Sequence, residues 1–364
     1  MTQLLDYRQF YINGKWVNPA KANDLEVIDP STEKAVAVIS IGDKADTDAA
    51  VAAAKAAFPA WAATAPAERL AYVEKILDIY KRRAKDMARA ISLEMGAPQD
   101  MSLDDQVDCG VYHIDNFIAA FKDFKFVRPL STDTPDTMIA WEPVGVVASI
   151  TPWNWPMNQV TLKVIPAILA GDTVILKPSE IAPLSSVVWT EIVHEAGLPA
   201  GVYNMVNGDG MGVGTQLSTH PDVDMVSFTG STRAGVAITK AAADTVKKVV
   251  LELGGKGANL VFADADENAV ARGVKHCFYN SGQSCNAPTR MLVERSFYDK
   301  AVEIAKKVAD ETAVDIAHKE GAHIGPVISK LQFDKIQGLI QDGINEGARL
   351  VSGGTGLPEH LSAG

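Results

Sequence analysis

Cys285 and Glu252 are the two side chains whose types fit a covalent reaction, and both stand beside glycine. The carboxylate lies in Leu251-Glu252-Leu253-Gly254-Gly255-Lys256 and the thiol in Gly282-Gln283-Ser284-Cys285. A thiolate attacks an electrophilic carbon, and a nearby carboxylate can activate the water that cleaves the resulting adduct. A lone cysteine is more often a small buried hydrophobe and a lone glutamate a solvated surface group. The reading therefore rests on the company these two keep.

Five short apolar runs, 144–150, 173–176, 202–206, 225–228 and 248–251, alternate with helical segments, a pattern that predicts a parallel, doubly wound sheet. Gly171 and Gly197 fall where intervening helices should end. Ligands of such sheets bind beyond the carboxyl ends of the strands, so the residues after each run matter most. These are Thr151-Pro152-Trp153-Asn154-Trp155-Pro156, Lys177-Pro178-Ser179-Glu180, Asn207-Gly208-Asp209-Gly210-Met211-Gly212-Val213-Gly214, and Thr229-Gly230-Ser231-Thr232. Glycine at a strand-to-helix turn lets backbone approach a phosphate at the positive end of a helix, so a nucleotide site is expected.

Upstream, Asn13-Gly14 between apolar runs predicts a two-residue hairpin turn. Helical spacing predicts two long helices, over 46–63 and from Pro66 to about Ile91. The turn-rich segment 126–142 reads either as a projecting hairpin open to pairing with another subunit or as a plain surface loop.

Composition narrows the partners. With 34 Lys+Arg against 45 Asp+Glu, the net charge of -11 opposes nucleic acid and favours small-molecule chemistry. Three cysteines, Cys109, Cys277 and Cys285, show no C-x-x-C spacing, so neither a disulfide framework nor a thiolate zinc site is expected, and a reducing, cytoplasmic setting follows. Seven scattered histidines offer no metal centre, and no apolar run reaches membrane-spanning length. A length of 364 residues predicts two domains.

Pro152-Trp153-Asn154-Trp155-Pro156, Lys177-Pro178-Ser179-Glu180, Phe228-Thr229-Gly230-Ser231-Thr232, and the two segments carrying Glu252 and Cys285 occur in an order that resembles the aldehyde dehydrogenase superfamily. The resemblance implies an α/β fold with a doubly wound parallel-sheet cofactor domain over 1–125 and 143–253. It also implies a projecting β-hairpin for oligomerisation at 126–142 and a second α/β catalytic domain at 254–364. NAD is the implied cofactor, a small-molecule aldehyde the substrate, and a homo-oligomer the assembly of the full-length protein.

Under this resemblance Cys285 adds to the aldehyde to form a thiohemiacetal, and the side-chain amide of Asn154 and the backbone N–H of Cys285 steady its oxyanion. Glu252 is then the general base that hydrolyses the later thioester. Lys177 and Glu180 are expected on the adenosine ribose, Gly230 and Ser231 near the pyrophosphate, Ile150, Trp153 and Phe228 along the cofactor's wall, and Gly210 and Gly214 at the adenine end. A carboxylate that accepts both ribose hydroxyls would repel a 2′-phosphate, which favours NAD over NADP. Trp155, Met157, Val160, Phe278, Ser284 and Asn286 are candidates for the substrate pocket. Family members normally continue past residue 364 with a Glu-x-Phe-Gly-Pro motif, so the catalytic domain is expected to be incomplete and the chain a truncated form. Two other readings stay open, namely transfer of the acyl group to coenzyme A and a nucleotide-binding protein without turnover.

Overall fold

The computed structural model describes residues 4–364. Its centre is a seven-stranded sheet in the spatial order Lys248–Leu253, Met225–Gly230, Val146–Ile150, Thr173–Lys177, Tyr203–Met205, Phe10–Ile12, Lys15–Val17. The first five strands run parallel, and the last two form an antiparallel hairpin added at the edge. That hairpin turns at Asn13 (φ 53°) and Gly14 (φ 76°), the left-handed pair that Asn-Gly favours.

The central strands are buried on both faces, which is why they are mostly apolar. Alternate side chains divide between the faces. Val147, Val174 and Leu176 join one cluster with the helices Pro66–Arg82, Pro156–Ala170 and Leu184–Ala196. Val146, Ala148, Ile150 and Ile175 join another with the helices Lys44–Ala62 and Thr232–Ala242. Gly171 (φ 100°) and Gly197 (φ 76°) end two of these helices in the left-handed conformation, as expected. The long helix foreseen from residue 66 instead breaks at Arg83, whose backbone (φ −98°, ψ 15°) leaves the helical region between Pro66–Arg82 and Ala84–Met95.

Around this body lie a three-stranded sheet of Leu5–Tyr7, Lys34–Ser40 and Asp24–Asp29, and the antiparallel hairpin Val127–Ser131 with Thr134–Ala140. Residues from 258 onward build a second α/β unit: parallel strands Ala258–Val261 and Arg290–Val293 pack on the helices Ala269–Phe278 and Tyr298–Glu311. Among the described residues no helix is long and apolar enough to cross a membrane.

A strap over residues 313–328 ties the two units together. Ala317 N–H donates to Ser31 Oγ at 2.9 Å, and His318 Nε2 lies 2.9 Å from the buried Asp29 carboxylate. Further on, Gly325 accepts from Ser281 Oγ at 2.8 Å and Ile328 N–H donates to Gln283 Oε1 at 3.0 Å. Gly325 passes so close to Gly96 that an added Cβ would stand 2.0 Å from the Gly96 carbonyl oxygen, a backbone atom that cannot swing aside. Gly325→Ala should therefore cost about 2 kcal/mol or more through forced backbone movement. Gly338→Ala, inside the helix Lys330–Asn345 with open space around it, should instead gain about 0.5–1 kcal/mol. Thermal denaturation of the two variants, with midpoints moving in opposite directions, checks the strap's packing.

Candidate active site

Cys285 owes its placement to a turn no ordinary helix end would make. After the helix Ala269–Phe278, Asn280 (φ 54°), Ser281 (φ 56°) and Gly282 (φ 74°) take left-handed conformations in succession. Their polar groups are held on several sides: Asn280 Nδ2 donates to the Asn154 carbonyl at 2.9 Å, and Ser281 bonds the strap. Gln283, also buried, donates through its own side chain to the Asn280 carbonyl at 3.2 Å. Cys285 emerges exposed from this loop. The other two thiols are half-buried, and burial pushes Cys277 up and Cys109 up to about 12, which leaves little thiolate at neutral pH.

Asn154 follows the strand Val146–Ile150 and faces the same loop. Its Nδ2 donates to the Gln283 carbonyl at 2.8 Å, two residues before Cys285. An amide nitrogen has two hydrogens, so one N–H remains for a ligand. Trp155 Nε1 donates to Ser284 Oγ at 2.8 Å, a second clasp between the two segments.

Glu252 is exposed near the end of the edge strand Lys248–Leu253, paired in register with Thr229. Three residues on, a Cβ added to Gly255 would lie 3.0 Å from the Cys285 carbonyl, so the two glycine-flanked segments touch backbone to backbone. The helix Pro156–Ala170 buries Lys163, whose ammonium is pushed down to about 8 by burial and pulled back by the charge of Glu252. Gln159, one turn earlier, accepts from Thr229 Oγ1 at 2.8 Å.

The expected cofactor residues gather at the carboxyl ends of neighbouring strands. Lys177 is buried, its Nζ donates to the carbonyls of Pro178 and Gly208, and Glu180 stands 3.6 Å away. Burial pushes this ammonium down while Glu180 and Asp209 oppose the shift. A Cβ on Gly214 would come within 4.0 Å of the Lys177 side chain, and Gly210 has open space around it. Gly230 lies under the Phe228 ring, where a Cβ would stand 2.4 Å from it. Ser231 caps the helix Thr232–Ala242 by accepting from Ala234 N–H at 3.2 Å, leaving the earlier amides of the first turn without helical partners. Ile150 and Phe228 are buried in the core, and Trp153 packs partly buried against the helical layer.

Two pocket candidates are corrected. Met157 and Val160 have no exposed surface and point into the core from the inner face of their helix, so neither lines an open site. Trp155 does face the loop, and its ring pairs with that of Tyr279 at 6.1 Å and 30°. Lys163, Gln106 and Asn280 were not singled out by sequence. For Lys163 a signal existed, a lone cation in an otherwise apolar helical stretch.

The model of the aldehyde dehydrogenase family matches residues 16–364. A 3-succinoylsemialdehyde-pyridine dehydrogenase of a Pseudomonas species is 47% identical over 99% of this chain and 75% of its own length. The crystal structure of an aldehyde dehydrogenase from Bartonella henselae superposes with a TM-score of 0.99 at 61% identity, covering 99% of this chain and 76% of that one. Aldehyde dehydrogenase C of Pseudomonas syringae, a cysteine-to-alanine variant solved with NAD+ and octanal, gives 0.96 at 44% identity, covering 98% and 73%.

The Lys163–Glu252 proximity carries its own test. Since the carboxylate favours the protonated ammonium, Glu252→Gln should lower the Lys163 midpoint below about 8. The pH dependence of Lys163 acylation, followed by peptide mass spectrometry, measures it. An unchanged midpoint would mean that the two charges do not meet.

Proposed function

Because the chain belongs to the aldehyde dehydrogenase family, we propose that it oxidises an aldehyde to the carboxylic acid with NAD, through a thiohemiacetal and a thioester on Cys285. The observation that carries this reading is the clasp at 2.8 Å between Asn154 Nδ2 and the loop presenting Cys285, beside the strand bearing Glu252. This supports reading Cys285, Asn154 and Glu252 as nucleophile, oxyanion donor and base of one site.

In this reading the exposed thiol of Cys285 attacks the aldehyde carbon. The remaining N–H of Asn154 and the backbone N–H of Cys285 meet the developing oxyanion; each such donor is worth about 3 kcal/mol of barrier. Bound NAD supplies the two-electron acceptor that the oxidation needs. Glu252 then takes a proton from water as that water cleaves the thioester, with the Lys163 ammonium as counter-charge nearby.

The residues present fit NAD. The first turn of the helix Thr232–Ala242 offers backbone N–H groups for a pyrophosphate, and the glycine at 230 lets the Phe228 ring pack against the strand end just before it. Lys177 and Glu180 pair a donor with an acceptor, as the two hydroxyls of a ribose require. The open turn Gly210–Gly214 borders Lys177 and suits the adenine end.

We read residues 1–125 and 143–253 as a cofactor domain and 254–364 as a catalytic unit. We read the hairpin Val127–Ser131 with Thr134–Ala140 as an oligomerisation element. Its residues are nearly all exposed, including Val127, Leu130 and Met138, and its base is fixed by the rings of Phe124, Phe126 and Trp141. The aldehyde's body lies against the rings of Trp155 and Tyr279.

Cys285→Ala should abolish NADH formation from aldehyde while NAD binding persists. Glu252→Gln should keep the first-turnover burst of NADH yet slow steady turnover by roughly a hundredfold or more, since only the second step needs the base. Stopped-flow absorbance separates the two phases. Full steady turnover in Glu252→Gln that depends on added coenzyme A would replace hydrolysis with acyl transfer, and wild-type activity in Cys285→Ala would end the covalent reading.

A further inference from the structure

Gln106 is a buried amide that the proposed mechanism does not use. It sits in the π-helical turn Ser102–Val107, between Gln99–Met101 and Asp108–Asp123, with an exposure of 0%. A π-turn widens the helix by one residue, re-aims the side chains around it, and is found frequently at functional sites. Here Nε2 donates to the main-chain oxygen of Asn154 at 3.0 Å and to Asn280 Oδ1 at 3.3 Å. Asn280 Nδ2 donates to the same Asn154 oxygen at 2.9 Å. One carbonyl thus gathers two amides from stretches far apart in the chain.

The other end of the side chain is informative too. Gln106 Oε1 is buried and has no hydrogen-bond partner among the described residues, a cost that an apolar side chain of similar length would avoid. Packing alone would be served as well by methionine, so the donor groups are the reason for an amide here.

We infer that Gln106 is a positioning residue for the oxyanion donor: by holding the Asn154 carbonyl it fixes the backbone from which Asn154 Nδ2 is aimed at the aldehyde oxygen on Cys285. The bond to Asn280 adds a second tie between this segment and the start of the cysteine loop. This inference rests on the function proposed above, since it needs an oxyanion at that place. A small misplacement of such a donor costs rate in the first chemical step while leaving cofactor binding alone.

The test compares wild type, Gln106→Met and Gln106→Glu, each also on the Asn154→Ala background, by the rate of the NADH burst. Gln106→Met should slow the burst about 30- to 100-fold, with the NAD dissociation constant and the rate of Cys285 alkylation by iodoacetamide unchanged. On the Asn154→Ala background the same change should cost less than about threefold, because its route is already gone. In Gln106→Glu the burst should recover as pH falls, since a protonated carboxyl donates again and a carboxylate only accepts. This arm stands even where Gln106→Met fails to fold. An unchanged burst, an equal loss on both backgrounds, or a Gln106→Glu profile parallel to wild type would overturn the inference. A wild type that gives no burst at all would instead overturn the proposed function beneath it.

Discussion

The left-handed run Asn280-Ser281-Gly282 is the constraint on which the site depends. Two of its three residues carry a side chain at positive φ, a conformation that costs on the order of 1–3 kcal/mol each when it must be held. The surroundings offset that cost. Asn280 bonds the Asn154 carbonyl, Ser281 bonds the strap at Gly325, and Gln283 is fixed at both ends, by Asn280 and by Ile328. Because these partners come from the cofactor sheet, the strap and the loop itself, the thiol's position is set by the joint between the two units. Neither unit alone would hold it.

Charge is distributed along the same joint with a division of labour. At the end of one central strand a buried ammonium at Lys177 faces carbonyl oxygens and Glu180, and beyond another a helix N-terminus presents its amides. At Lys163, burial and the charge of Glu252 pull the ammonium's protonation in opposite directions. The three thiols follow the same logic in reverse. Burial keeps Cys109 and Cys277 protonated, and the only exposed cysteine is the one on the strained loop.

Much of the framework was legible from local pattern. The five strands, the Asn13-Gly14 hairpin and the glycine helix ends at 171 and 197 depend on burial and backbone preference, which sequence displays directly. The break at Arg83 was not legible, because the apolar spacing continues across it and no proline or glycine marks it. Met157 and Val160 were misassigned as pocket residues since proximity to Asn154 in sequence says nothing about which side of a helix faces the core. Gln106 was the least accessible: its partners Asn154 and Asn280 lie 48 and 174 residues away, and a π-turn aims it. Contacts of that range are decided by packing of the whole molecule, which no local spacing encodes.

The proposed chemistry requires a covalent bond to one sulfur. Mixing the protein with NAD and an aldehyde, quenching in acid within the first turnover and mapping the digest by mass spectrometry would locate that bond. The account predicts an acyl group on Cys285 with Cys109 and Cys277 unmodified. NADH formed with no adduct on Cys285, or with the acyl group on either of the other thiols, would contradict it.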